Sequence, residues 1–191
     1  MTDRSDNNLL DPELHRDSCG FGLIANLDDL PSHGVVETAI EALARLTHRG
    51  AVAADGKTGD GCGLLLKFPE SFLRAVGKEL GFTLAKRFAA GTVFLSRDKA
   101  ASDAARNIIT QAIGEFGLEV AGWREVPVDA SACGEQALAT LPRIEQVFVS
   151  SPDHLPRGSF NRKLFLARRR AETRISDDET YVASLSSVTI S

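Results

Sequence analysis

Apolar and polar residues follow one another in blocks along the chain, after a first segment that is almost wholly polar. Residues 1–18 carry mixed charge and little apolar surface, which predicts a leader that does not order itself. Residues 19–25, CGFGLIA, alternate small and large side chains and predict a short buried strand. Apolar residues then recur at three- and four-residue intervals over 36–44, the pattern of one helical face, with Gly50 as a natural end.

The same patterns predict further strands and helices as far as residue 185. A glycine-rich loop, residues 55–63, leads into the apolar run 64–66, which predicts a second buried strand. Strands are also predicted at 92–95, 118–126, 146–149 and 181–185, and helices near 70–80, 101–116, 134–141 and 160–171. Taken alone, this alternation favours a parallel α/β sheet of the doubly wound type.

Composition indicates a globular domain and disfavours nucleic acid and anionic membranes as main partners. The 191 residues are 43% hydrophobic and 25% charged, which predicts one domain, or one domain and part of another, with a sizeable core. The net charge of -4 gives no reason to expect nucleic acid or an anionic membrane as the main partner. The first segment lacks the apolar stretch of a signal peptide, and no run approaches the ~20 apolar residues of a membrane span.

Three cysteines, Cys19, Cys62 and Cys133, are an odd number at wide spacing. This spacing fits neither a disulfide framework nor a zinc site, so we predict a cytoplasmic protein with reduced thiols. Cys62 lies between two glycines and has no adjacent basic residue to lower its pKa. We interpret it as structural, with a place facing the same cavity as Cys19 as the alternative.

Cys19 stands directly after the polar leader and has chemistry that depends on that position. A cut at the Ser18–Cys19 bond would leave a cysteine whose own α-amino group is the chain terminus. An α-amine has a pKa of about 7.7–8.0, so near neutral pH a useful fraction is free base. That amine can take the thiol proton directly or through one water, as N-terminal threonine nucleophiles use theirs. The alternative is a buried and inert cysteine.

Three short motifs in order carry a resemblance to a known family. Residues 19–25 resemble the CGxGxxA start of mature glutamate synthase large subunits. Residues 46–51, LTHRGA, resemble the LxHRG segment of class II glutamine amidotransferases, and residues 54–63, ADGKTGDGCG, resemble the loop that follows it in glutamate synthases. Segments 122–128, 144–147 and 184–190 are similar to that family as well. The resemblance makes residues 1–18 a propeptide and residues 19–191 the first portion of an amidotransferase domain.

The resemblance implies both an activity and a fold. In this family the N-terminal cysteine, here Cys19, attacks the side-chain amide of L-glutamine, releases ammonia and leaves a γ-glutamyl thioester that water hydrolyses. The ammonia then reacts with 2-oxoglutarate at a second active site. The implied fold is α+β, part of the four-layer αββα sandwich of N-terminal-nucleophile hydrolases, with largely antiparallel sheets. We prefer it to the doubly wound arrangement because the motifs are more specific than the alternation.

The resemblance also places Arg49 and Gly50 in the wall of the nucleophile pocket. A guanidinium there would orient a carboxylate or hold a backbone carbonyl. The alternative for His48 and Arg49 is a helix C-terminus, where positive side chains are favoured by the macrodipole and by free carbonyls. We do not predict His48 as an acid or base, because the α-amine already fills that role.

Two other segments suggest binding functions that we do not favour. Gly56-Lys57-Thr58 matches the end of a phosphate-binding loop, but its spacing from Gly50 is wrong and a helix, not a strand, is predicted before it. Asp55 and Asp60 are better explained as turn formers beside glycines, and no histidine and cysteine pair has metal-ligand spacing. Residues 168–170 and Arg174 suggest a partner patch, but we favour the solvated end of a helix.

Some of the family's features are absent from this sequence. The R-x-S-T-N segment, whose arginine holds the substrate carboxylate, and the N-G-E segment, which forms the oxyanion hole, are not found. The reductive domain, with FMN and a 3Fe-4S cluster, is also absent, so we predict no cofactor within this chain. Its predicted partners are the remainder of a synthase chain and an electron-donor small subunit. We therefore expect a truncated amidotransferase that is inactive alone, with a non-catalytic binding module of the same fold as the alternative.

Overall fold

The computed structural model describes residues 20–46, 52–59 and 61–191. The chain divides into two compact units, residues 1–51 and residues 52–191. The residues that the sequence analysis considers for catalysis and substrate binding lie outside the described residues: Cys19, His48, Arg49 and Gly50.

The described part of the first unit contains one helix, α1, at His33–Ala44. Its position agrees with the apolar spacing over 36–44. The strand predicted at 19–25 is wrong over residues 20–25, which are irregular, with Phe21 94% and Leu23 89% exposed. A strand needs a neighbour for its N–H and C=O groups, and within the described residues no strand pairs with this segment.

The described residues of the second unit, 52–59 and 61–191, contain six strands and four longer helices. The strands are β1 Leu66–Lys67, β2 Phe88–Leu95, β3 Glu119–Glu125, β4 Arg143–Ser150, β5 Tyr181–Val182 and β6 Thr189–Ile190. The helices are α2 Glu70–Glu79, α3 Lys99–Glu115, α4 Glu135–Thr140 and α5 Arg157–Glu172. Every helix predicted in this unit is therefore present. The strand predicted at 64–66 is present only as the two-residue β1. The one predicted at 181–185 is limited to β5, because the Ala183 and Ser184 amides both donate to the Thr92 carbonyl and so interrupt the regular ladder.

The sheets of this unit are antiparallel. One sheet has the order β3-β4-β2-β5, and β1 pairs with β6 in a second, two-stranded sheet. β2 and β4 pair along their whole lengths, from Phe88 opposite Ser150 to Leu95 opposite Arg143. The mixed α/β architecture with antiparallel sheets agrees with the α+β prediction. The doubly wound alternative is wrong, because it requires parallel neighbours and each described ladder is antiparallel.

Both faces of the four-stranded sheet are buried. Alternate residues of a strand point to opposite faces, so Ala89, Val93 and Leu95 of β2 face one core while Phe88 and Ala90 face the other. The first core includes α3 and α5, whose small and aliphatic side chains pack on the sheet. The second core includes α2 and β6. This two-sided burial explains why β2, FAAGTVFL, is a nearly continuous apolar run.

Candidate active site

Cys19, Arg49 and Gly50 lie outside the described residues, and the described segment that comes next in the sequence is the loop after the LTHRGA motif. Val52 and Gly59 form an antiparallel bridge across it. The Ala53 amide donates to the Thr58 carbonyl at 2.7 Å, and the Gly56 amide donates to the Ala53 carbonyl at 3.0 Å. Gly56 has φ 68, a left-handed conformation that glycine adopts at little cost. Residues 52–59 therefore form a closed turn, which we call the 52–59 loop.

Asp55 organises this loop from inside. Its Oδ1 accepts from the backbone amides of Lys57 at 3.0 Å and Thr58 at 2.7 Å. Its Oδ2 accepts from the Thr58 hydroxyl at 2.5 Å. The Thr58 hydroxyl and the loop amides hold the pKa of the Asp55 carboxyl far below its usual range, against the smaller opposing effect of desolvation. Asp55 is thus an anion at neutral pH, and its prediction as a turn former is confirmed.

The same two side chains meet the N-terminus of α4. Gly134 precedes α4 at the N-cap position and has no side chain to cap it. The amide of Ala137 donates to the Thr58 hydroxyl at 3.4 Å, and the amide of Gln136 makes a small contribution to the lowered pKa of the Asp55 carboxyl. We call this arrangement of Asp55, Thr58 and the first turn of α4 the loop–helix clasp.

The clasp leaves no role for Gly56-Lys57-Thr58 as a phosphate loop. In such a loop the threonine begins a helix and its backbone amides converge on the phosphates. Here the chain turns back from Thr58 to pair Gly59 with Val52, and residues 61–65 are irregular. The Thr58 hydroxyl already bonds to Asp55 and Ala137. The 52–59 loop therefore does not have the geometry of a phosphate-binding loop.

The two cysteines within the described residues have different surroundings. Both are free thiols, with Cys62 exposed and Cys133 half-buried. Because Cys62 is exposed, it does not contribute to a packed core, so our interpretation of it as a structural cysteine finds no support in packing. Asp60, the other predicted turn former, lies outside the described residues.

The arginines near the end of α5 are largely paired with acidic residues. Arg168 and Arg169 each lie 2.7 Å from a carboxylate oxygen of Glu172, and Arg174 pairs with Glu115. Burial alone would raise the pKa of Glu172, but the two guanidiniums outweigh it and lower that pKa. These pairs favour the interpretation as a solvated helix end over that of a patch open to a partner.

Sequence reasoning missed a buried carboxylate between α3 and the sheet. Glu145 on β4 is 2% exposed, with its oxygens 3.3 Å from Nε of Arg106 and 3.1 Å from Nη2 of Arg143. The Arg106 guanidinium also lies over the ring of Trp123, 5.1 Å from its centroid. The available signal was an acidic residue between Ile144 and the apolar residues 147–149 of a predicted strand.

The described residues contain neither a membrane-spanning helix nor a metal-binding cluster. No helix in residues 20–46, 52–59 and 61–191 is long and apolar enough to cross a bilayer. In the same part of the chain, no group of three acidic, histidine or cysteine side chains is arranged to hold a metal ion.

Comparison with known proteins extends the resemblance over nearly the whole chain. Residues 19–191 match the family model of the class II glutamine amidotransferases. The chain is 40% identical over 188 residues to the large chain of glutamate synthase [NADPH] of Azospirillum brasilense, covering 96% of this chain and 12% of that protein. It is 38% identical over 189 residues to ferredoxin-dependent glutamate synthase 1 of Arabidopsis thaliana, with the same two coverages. A glutamate synthase [NADPH] large chain of Bacillus subtilis is 36% identical over 185 residues, covering 95% of this chain and 12% of that protein.

Proposed function

Because the chain belongs to the class II glutamine amidotransferases, we propose that it supplies the glutamine-hydrolysing site of a glutamate synthase, with Cys19 as the nucleophile. The observation that carries this proposal is that the family match begins at residue 19. The match thus starts at Cys19, the cysteine that stands directly after the polar leader. The chain spans about 12% of the length of the glutamate synthases that it resembles.

The proposed reaction begins with removal of residues 1–18 as a propeptide, which frees the α-amine of Cys19. That amine takes the thiol proton, and the thiolate attacks the side-chain carbonyl carbon of L-glutamine. The carbon–nitrogen bond breaks, and ammonia leaves with the transferred proton. Water then hydrolyses the γ-glutamyl thioester, which releases glutamate and restores the thiol.

Arg49 and Gly50 are the proposed substrate-binding residues of this chain. The Arg49 guanidinium would orient a carboxylate through a planar, bidentate contact, and Gly50 would let the backbone come close to the substrate. The described 52–59 loop begins two residues after Gly50 in the sequence.

The proposed fold is the four-layer αββα sandwich of N-terminal-nucleophile hydrolases. We assign α3 and α5 to one helical layer and the antiparallel sheet β3-β4-β2-β5 to the sheet beneath it. The burial of β2 on both faces supports this assignment, because the middle sheets of such a sandwich are covered on both sides.

The remainder of the proposed synthase would carry the second half of the chemistry. Ammonia would pass to 2-oxoglutarate in a reductive step that FMN and a 3Fe-4S cluster supply when bound, with an electron-donor small subunit as a candidate partner. As the family resemblance implies, we propose that both groups belong to other parts of the synthase. The pathway would be glutamate biosynthesis in nitrogen assimilation, in the cytoplasm.

The proposal is tested by replacing Cys19 in the natural protein. We expect Cys19→Ala to abolish ammonia release from glutamine, because no other group on the chain is proposed to form the thioester. Cys133→Ala is the matched control, since Cys133 is a free thiol with no proposed role. Equal rates for the two variants, or a full-length wild-type synthase that releases no ammonia, would contradict the proposed function; residues 1–191 alone are expected to be inactive.

A further inference from the structure

We propose that Asp55, Thr58 and Gly134 are positioning residues for glutamine, because the loop–helix clasp that they form fixes the segment next to the pocket wall. The inference rests on the proposed function and adds three residues to it. Two lie on the 52–59 loop and one lies at the start of α4. None of them is proposed to touch the reacting atoms.

The first support is that the loop caps a helix that lacks a cap of its own. A helix N-terminus leaves backbone amides without intrahelical partners, and an N-cap side chain normally accepts from the second or third of them. Gly134 has no side chain to do so, and the Thr58 hydroxyl accepts from the Ala137 amide instead, with the Asp55 carboxylate packed against the backbone of Gly134. The partners Thr58 and Ala137 are 79 residues apart in the sequence. These contacts therefore hold two distant segments together.

The second support is the reason for a glycine at position 134. Its backbone has φ -79 and ψ 167, an extended conformation that any residue adopts. Conformational freedom is thus not the reason. A Cβ at this position would fall on the Asp55 carboxylate and the Thr58 hydroxyl, and would lie 2.7 Å from the Thr58 amide. Glycine is required at position 134 for steric reasons, because the 52–59 loop occupies the space that a Cβ atom would need.

The third support is the position of the loop in the sequence. Val52 is held to Gly59 by the bridge that closes the 52–59 loop. Gly50 and Arg49 precede Val52 by two and three residues, and consecutive Cα atoms are about 3.8 Å apart. A shift of the loop would therefore pass to the proposed pocket wall through the covalent chain. A misplacement of about 1 Å can cost roughly 100-fold in rate.

The charge of Asp55 is part of the clasp. The carboxylate accepts from two backbone amides and one hydroxyl, so both of its oxygens serve as acceptors. Asp55→Asn would replace one carboxylate oxygen with an NH₂ group. That group cannot accept a hydrogen bond from the Lys57 and Thr58 amides or from the Thr58 hydroxyl. The variant keeps the shape of the side chain and removes part of the clasp.

The test compares clasp variants with a matched control in the natural protein. Asp55→Asn, Gly134→Ala and Thr58→Ala break the clasp, while Thr58→Ser keeps the hydroxyl. Asp129→Asn is the control, because Asp129 makes a similar local turn with Ser131 but no described contact with a distant segment. The measurements are kcat/KM for glutamine and two rates of Cys19 modification, by a glutamine-shaped electrophile and by iodoacetamide.

We expect the three clasp-breaking variants to lose about 10- to 100-fold in kcat/KM and in the rate with the glutamine-shaped electrophile. Iodoacetamide needs no substrate pocket, so its rate should stay within about twofold, as a positioning role requires. Thr58→Ser should recover most of the loss seen in Thr58→Ala. Thr58→Ala, as the mildest change, decides the matter if Gly134→Ala does not fold.

Three results would overturn the inference. The first is clasp variants with the kcat/KM of Asp129→Asn. The second is an equal loss in both modification rates, which would mean general damage to the fold. The third is no difference between Thr58→Ser and Thr58→Ala. An inactive wild-type protein would instead contradict the proposed function itself, so the two failures are distinguishable.

Discussion

Glu145 shows at the scale of a single residue how this fold uses charge. Its carboxylate is buried between α3 and the sheet, while its partners Arg106 and Arg143 remain about one-third exposed. A buried carboxylate is tolerated only where nearby positive charges offset its desolvation. The two guanidiniums do so here from different elements, so the group ties α3 to β4.

We predict that Glu145→Gln destabilises the chain by about 2 kcal/mol, because it leaves two guanidiniums without their shared anion. The estimate lies below the full cost of breaking a buried pair, since both arginines reach solvent. Glu125→Gln is the control: Glu125 is exposed, lies 3.8 Å from the same Arg143, and should change stability by less than about 1 kcal/mol. Urea unfolding midpoints measure both, and equal shifts would contradict this view of Glu145.

At the scale of elements, β2 is extended at its edge by a segment that is not a regular strand. Residues 183–186 follow β5 and bond to β2: the Ala183 amide donates to the Thr92 carbonyl at 2.9 Å, and Ala90 and Ser186 form a bridge. This close approach depends on Gly91. A Cβ there would lie 2.5 Å from the Ser184 carbonyl oxygen and 2.9 Å from a Leu185 methyl group.

We therefore predict that Gly91→Ala destabilises the chain by roughly 1–3 kcal/mol, because a backbone oxygen cannot move aside as a side chain can. Gly114→Ala is the control, since a Cβ at that position in α3 meets nothing within 4 Å. It should stabilise the chain by roughly 0.5–1 kcal/mol through helix propensity. Thermal unfolding measures both, and a Gly91→Ala variant as stable as wild type would refute the close approach.

The elements that sequence patterns predicted well are those with a local periodicity. α3 and α5 have apolar residues at helical spacing, and β2 and β4 have apolar runs bounded by polar residues. Residues 20–25 share the apolar character of a strand but lack a partner among the described residues. The clasp could not be predicted, because no local pattern relates Thr58 to Ala137, 79 residues away. Asp55 was predicted as a turn former, but its contact with α4 depends on the fold.

At the scale of the whole molecule, the second unit combines an antiparallel sheet buried on both faces with the closed 52–59 loop, which contacts the start of α4. The proposed pocket residues precede that loop in the sequence and lie outside the described residues. The nucleophile itself rests on the sequence and on membership of the family. The central claim is therefore that Cys19 is both the first residue of the mature protein and the group that glutamine acylates.

The most direct measurement of that claim is intact-mass analysis and peptide mapping of the active natural protein after brief exposure to a glutamine-shaped electrophile. We predict one label per chain, on a cysteine at the mature N-terminus, with residues 2–18 absent and glutaminase activity lost in proportion to labelling. Cys62 and Cys133 should remain unlabelled at that time. An active protein that retains the leader, or a first label on Cys62 or Cys133, would contradict the account.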